Sequence, residues 1–140
     1  VTAAMVSCPQ RNQVFDPIRK KWVEATPEEI VRQKILNHLI GLGYPPHTIV
    51  VEKGLPEGAP RRRLDILCLE SKTLRPLLLI ECKSIPIQEK MLAQIAGYNS
   101  FVGAPLICLA NEGEFMLQWE KDERVVEHLP TYQELVEWTT

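Results

Sequence analysis

A mixed α/β fold, with a central sheet flanked by helices, is predicted by three observations. A capped amphipathic stretch opens at Thr26, apolar strand-like runs lie between Thr48 and Lys83, and another such run, Pro105 to Ala110, follows a second helical stripe. With 140 residues, 45% of them hydrophobic, the chain suits one globular domain with one core. We read residues 1–25 as an N-terminal arm packed on a single domain over 26–140.

The arm has weak periodicity, a Phe-Asp-Pro turn signal at Phe15 to Pro17, and the basic run Arg19, Lys20, Lys21 before Trp22. It reads as an extended segment whose basic run is a solvated face. The first helix should cover Pro27 to Leu42: Thr26 is a good N-cap, Pro27 suits the first helical position, and Glu29 stands where a capping box needs it. Val31, Ile35, Leu36 and Leu39 give it one apolar face, and Gly41 and Gly43 end it.

Thr48 to Glu52 reads as a strand, followed by the Gly54 to Pro60 loop. Arg61 to Leu69 and Arg75 or Pro76 to Lys83 are the next two strands. Their break, Glu70 to Thr73, is hairpin-sized and so implies antiparallel pairing. A second helix over Pro86 to Phe101 carries Ile87, Met91, Ile95 and Tyr98 as one buried stripe, with Ser84 as its candidate cap. Pro105 to Ala110 is a continuous apolar run, expected to join the sheet parallel to the preceding strand by a crossover. Glu114 to Trp119 and Glu123 to Glu127 suggest a terminal hairpin, and Thr131 to Trp138 a last short helix.

A formal net charge of -2 excludes a globally basic nucleic-acid binder, so any DNA contact must come from a local patch. Cys8, Cys68, Cys82 and Cys108 form no Cys-x-x-Cys pair, and three of them lie in apolar runs. They read as buried free thiols in a reducing cytoplasm. No apolar run approaches the roughly 18 to 20 residues of a membrane span, and no signal peptide is evident, so a cytoplasmic protein is expected. The chain begins at Val1, which leaves its full length open.

The chemistry centres on Leu64 to Lys83, where one apolar strand carries Asp65 and the next ends in Glu81-Cys82-Lys83. Alternation puts Glu81 and Lys83 on one face. Phosphodiester hydrolysis needs an attacking hydroxide, neutralised phosphate charge and help for the leaving oxygen, and magnesium held by one or two carboxylates supplies much of this. Asp65 and Glu81 are the candidate carboxylates, the Cys82 carbonyl is a further hard oxygen, and Lys83 can stabilise developing charge or orient water. The alternative is a pair of strand-end acids with an ordinary surface ion pair.

The sequence resembles the PD-(D/E)XK nuclease superfamily and, more narrowly, the N-terminal nuclease domain of type I restriction enzyme R subunits in its small stand-alone bacterial form. The likeness runs through Phe15 to Lys21, Thr26 to Gln33, Gly43-Tyr44-Pro45, Arg63-Leu64-Asp65, Glu81-Cys82-Lys83, Gln94 with Tyr98-Asn99, and Asn111. Leu64 stands where Pro is usual, and Glu112 interrupts an Asn-Gly pair. The resemblance implies a restriction-endonuclease-like core of helix, three-strand meander, helix and strand. It also implies Mg2+ (or Mn2+) on Asp65 and Glu81, with Lys83 and Gln94 as catalytic residues.

Glu29 matches an acidic first-helix position that sometimes completes the metal site, unless it serves the capping box. Arg63, Arg32 and Tyr98 are candidate DNA contacts, and Arg61 and Arg62 either steer phosphates or blunt a strand edge. DNA is the expected partner, with restriction-modification subunits as further candidates. No phosphate-binding loop of a motor is present in the sequence. A binding or assembly module with the same fold and little activity alone is the second reading, and a small-ligand α/β domain the third. Target sequence, pathway and oligomeric state, a homodimer included, stay open.

Overall fold

The computed structural model describes residues 12–55, 57–59, 63–122 and 124–140. Cys8, Arg61 and Arg62 therefore lie outside the described residues. The chain runs β1 (Gln13–Asp16), β2 (Lys21–Glu24), α1 (Pro27–Gly41), a 3-10 turn (Pro46–Thr48), β3 (Ile49–Val51), β4 (Ile66–Leu69), β5 (Pro76–Cys82), α2 (Glu89–Asn99), β6 (Leu106–Ala110), β7 (Phe115–Trp119), β8 (Val125–Val126) and α3 (Tyr132–Trp138).

β3 to β8 form one sheet in sequence order, antiparallel throughout except for the parallel β5–β6 pair that α2 connects. The mixed α/β architecture with flanking helices is as the sequence predicts. Alternation on the central strands, broken at the start of β5 where Leu77 and Leu78 share one side, builds two cores. Ile66, Cys68, Leu78, Ile80, Cys82, Leu106, Cys108 and Ala110 face α1 and α3, whereas Leu67, Leu79, Ile107 and Leu109 face α2.

α1 starts where its cap predicts, with the Thr26 hydroxyl accepting the Glu29 N–H at 3.1 Å. It closes in a Schellman arrangement, because Gly43 adopts φ 90° and the Gly43 and Tyr44 N–H groups bond the carbonyls of Ile40 and Leu39. α3 carries a full capping box at Thr131 and Glu134. Its Tyr132 N–H bonds the Leu42 carbonyl, which docks it beside the end of α1.

Several boundaries differ from the sequence reading, each for a local reason. The described part of the N-terminal arm, residues 12–25, carries a β-hairpin rather than an extended segment, with β1 and β2 in antiparallel register and an edge-on Phe15–Trp22 ring pair. β4 begins at Ile66, not at residue 61, because the Asp65 carboxylate rather than a ladder carbonyl takes the Cys82 N–H at 2.8 Å. Thr48 belongs to the 3-10 turn, where its hydroxyl donates to the Pro45 carbonyl at 2.9 Å.

α2 begins at Glu89, not at Pro86, and its N-cap is Gln88 rather than Ser84. The Asn111 amide donates to the Ile85 carbonyl and the Glu114 carboxylate accepts the Ile87 N–H, so residues 85–87 are tied to the β6–β7 turn and kept out of the helix.

Buried Asn99 clamps the loop after α2, its amide donating to the Ala104 carbonyl at 2.9 Å and accepting the Ala104 N–H at 3.0 Å. Asn99→Ala leaves both backbone groups buried without those partners, so it is expected to lower stability by about 2 kcal/mol. Urea unfolding followed by circular dichroism measures this, and an unchanged midpoint would refute it.

Candidate functional site

Three strand ends converge at one edge of the sheet. The β4–β5 register pairs Ile66 with Ile80, so one further step sets Asp65 beside Glu81. On the other side, Val51 pairs with Ile66, and the Glu52 N–H bonds the Asp65 carbonyl at 3.0 Å. Glu52 has φ 58°, an unusual left-handed conformation for a residue with a side chain. Each of the three strands thus brings an acid to this edge, and Asp65 and Glu81 are buried.

α1 crosses this edge with a cation. Arg32 is 6% exposed. Its Nη2 lies 3.0 Å from Asp65 Oδ1 and 3.5 Å from Glu52 Oε2, and its Nη1 lies 2.6 Å from Glu29 Oε1. Burial works against the charge of this guanidinium, but the Asp65, Glu29 and Glu52 carboxylates outweigh it and hold its pKa above the ordinary value.

The network continues into the hairpin. Glu29 Oε2 accepts from Arg19 Nη2 at 2.9 Å and from Gln33 Nε2 at 2.8 Å. Asp16, wholly buried, accepts the N–H groups of Ile18 and Arg19 on one oxygen, and Arg19 Nε and Gln33 Nε2 on the other. At the opposite end, Lys83 Nζ lies 3.4 Å from Glu81 Oε2 with its side chain 21% exposed, and its N–H bonds the Ala110 carbonyl.

The sequence-predicted residues divide by location. Asp65, Glu81, Lys83 and Glu29 are brought together. Glu29 does not close a capping box, since its carboxylate goes to Arg19, Arg32 and Gln33 while the Thr26 N–H bonds the Glu24 carbonyl. Arg32 is in the cluster but turned inward. Arg63 is exposed and donates to the Glu52 carbonyl at 2.8 Å, at the rim. Gln94 is exposed on α2, and Tyr98 is buried in the α2-side core, away from solvent.

Sequence reasoning missed Glu52, Asp16, Arg19 and Gln33. Glu52 carries a readable signal, as the third of three apolar strand runs that bring an acid to this edge.

The donor set suits a hard divalent cation. Asp65, Glu81 and the Cys82 carbonyl are all oxygen donors. The four carboxylates linked through Arg19 and Arg32 (Asp16, Glu29, Glu52, Asp65) exceed those two cations by two charges, and Glu81 is paired with Lys83. Among the described residues no three Asp, Glu, His or Cys side chains converge as an ion-holding group. A pair of carboxylates with water is nevertheless what magnesium commonly accepts. Cys82 offers no thiolate, because burial pushes its thiol pKa well up.

A family model described as the type I restriction enzyme R protein N terminus matches residues 27–132. Among solved structures, a fragment described as an HsdR subunit of a type I restriction enzyme from Vibrio vulnificus YJ016 shares the fold, with a TM-score of 0.61 at 17% identity. The match covers 81% of this chain and 24% of that one, so the chain spans about a quarter of the solved relative. No curated protein matches the sequence. Among the described residues no helix is long and apolar enough to cross a membrane.

Proposed function

The chain belongs to the type I restriction enzyme R protein N-terminus family, and from that premise we propose that it is a PD-(D/E)XK-type, metal-dependent endonuclease domain that hydrolyses DNA phosphodiesters. The observation that carries this reading is the meeting of Asp65, Glu81 and Lys83 at one sheet edge, two buried acids at the ends of adjacent strands with a cation 3.4 Å from one of them.

Asp65 and Glu81, with the Cys82 carbonyl, would hold Mg2+ or Mn2+. When bound, such an ion neutralises phosphate charge and acidifies water. Lys83 is partly exposed and so can reach a phosphate oxygen or orient the attacking water. The Cys82 N–H fixes one oxygen of Asp65. Arg63 at the rim suits a phosphate contact, and Gln94, exposed on α2, is the further polar group assigned to the substrate, with Tyr98 anchoring that helix in the core. A cytoplasmic setting with restriction-modification subunits as partners completes the proposal.

The second reading, a nucleic-acid-binding or assembly module with little activity alone, is favoured by the engagement of both Asp65 oxygens, one by Arg32 and the other by the Cys82 N–H. Calorimetric titration of Mg2+ and Mn2+, combined with a supercoiled-DNA nicking assay on wild type and Asp65→Asn, separates the two. The nuclease reading expects nicking that chelation abolishes, and loss of both metal binding and nicking in the variant. Metal and DNA binding without nicking would support the module, and absence of metal binding in wild type would sink the nuclease.

A further inference from the structure

Arg32 stands out as a cation within the cluster proposed to hold one. Its guanidinium bridges carboxylates from three elements: Glu29 on α1, Glu52 after β3 and Asp65 before β4. With the Cys82 N–H on Oδ2 and Arg32 on Oδ1, both oxygens of Asp65 are engaged. A divalent ion bound by Asp65 would lie close to a buried positive charge, which repels it strongly where water is excluded.

The guanidinium is also incompletely satisfied, since its Nε is buried with no hydrogen-bond partner. The side chain of Glu52, by contrast, is 37% exposed and still within reach of Arg32 at 3.5 Å.

We propose that Arg32 is a resident counter-cation that competes with divalent metal for Asp65. It neutralises Asp65 in the metal-free protein, and its release onto Glu29 and Glu52 is the step that frees Asp65 to act as a ligand. This regulates the site of the reading above and rests on Asp65 being a ligand. The competing role is that of a strut, in which Arg32 shapes the carboxylates for metal. The two roles predict opposite signs, because removing a competitor tightens metal binding and removing a strut weakens it.

The test is calorimetric titration of Mn2+ into wild type, Arg32→Gln and Arg32→Lys. Arg32→Gln is expected to bind at least about tenfold more tightly. Arg32→Lys should fall between, because a point charge cannot bridge three acids as the planar fork does. Should Arg32→Gln not fold, the lysine variant still orders the series. Independently, Mg2+ titrated into isotope-labelled wild type should shift the Arg32 Nε–H resonance and speed its solvent exchange.

Unchanged or weaker Mn2+ binding in the variants beside a binding wild type, or an Arg32 signal unmoved at Mg2+ saturation, would overturn the competition. A wild type that binds no divalent ion would overturn the metal-site reading itself, and the two failures are therefore distinct.

Discussion

Lys83→Ala is expected to slow metal-dependent nicking of supercoiled DNA by about 10²- to 10³-fold, the usual loss when one charge-stabilising donor leaves a reacting centre. Metal affinity should hold or rise, because Glu81, only 3% exposed, loses the cation 3.4 Å from its carboxylate. The pairing of these outcomes is diagnostic. A residue that merely held the fold would lower metal binding and stability together, whereas one that acts on the phosphate lowers turnover alone. Time courses of nicking at saturating Mg2+, with calorimetric metal titration of the same preparation, give both numbers, and a variant nicking at the wild-type rate would exclude Lys83 from the chemistry.

The second large effect concerns stability. Asp16→Asn should cost about 3 kcal/mol at pH 7, because the buried carboxylate accepts from Arg19 on both oxygens and from Gln33, and an amide cannot replace the charge. Burial alone would raise the pKa of Asp16, but the hydrogen bonds from Arg19, Gln33 and Ile18 outweigh it and hold the folded value below the ordinary carboxylate range. The unfolded chain then takes up its proton first as pH falls. The stabilisation is complete above the unfolded pKa, about 3.9, and is lost as pH drops through the depressed folded value. Urea unfolding of both proteins at pH 7 and at pH 3 should therefore show the gap narrowing in acid, and a gap that is constant with pH would rule out the charge as its source.

How much of this was readable from the sequence depends on whether the cause was local. The ends of α1 are legible because Thr26 and Pro27 at its start and Gly43 past its end each lie within two residues of the boundary they set, and the central strands because alternation and apolar runs are local patterns. The start of α2 is not, since residues 85–87 are kept out of the helix by Asn111 and Glu114, more than twenty residues away.

The site followed the same division. Asp65, Glu81 and Lys83 are visible through spacing and resemblance, whereas the inward turn of Arg32 depends, beyond its helix neighbour Glu29, on Glu52 and Asp65 far along the chain. Arg19 shows the difference most clearly. In sequence it belongs to a basic run expected to face solvent, yet Asp16 and Glu29 draw it into the network, leaving Lys20 and Lys21 exposed.

The alternation that lines Cys68, Cys82 and Cys108 along the α1-facing side of three adjacent strands also gives the protein an internal clock. All three thiols are free and buried, and burial drives the pKa of each far above that of an exposed cysteine. An alkylating reagent can therefore mark them only while the sheet is open, and the rate at each position counts openings of that strand. Cys82 lies beside the Asp65 carboxylate and Cys108 at the centre of the sheet. The ratio of their labelling rates would tell whether the acidic edge breathes on its own or only with the whole core.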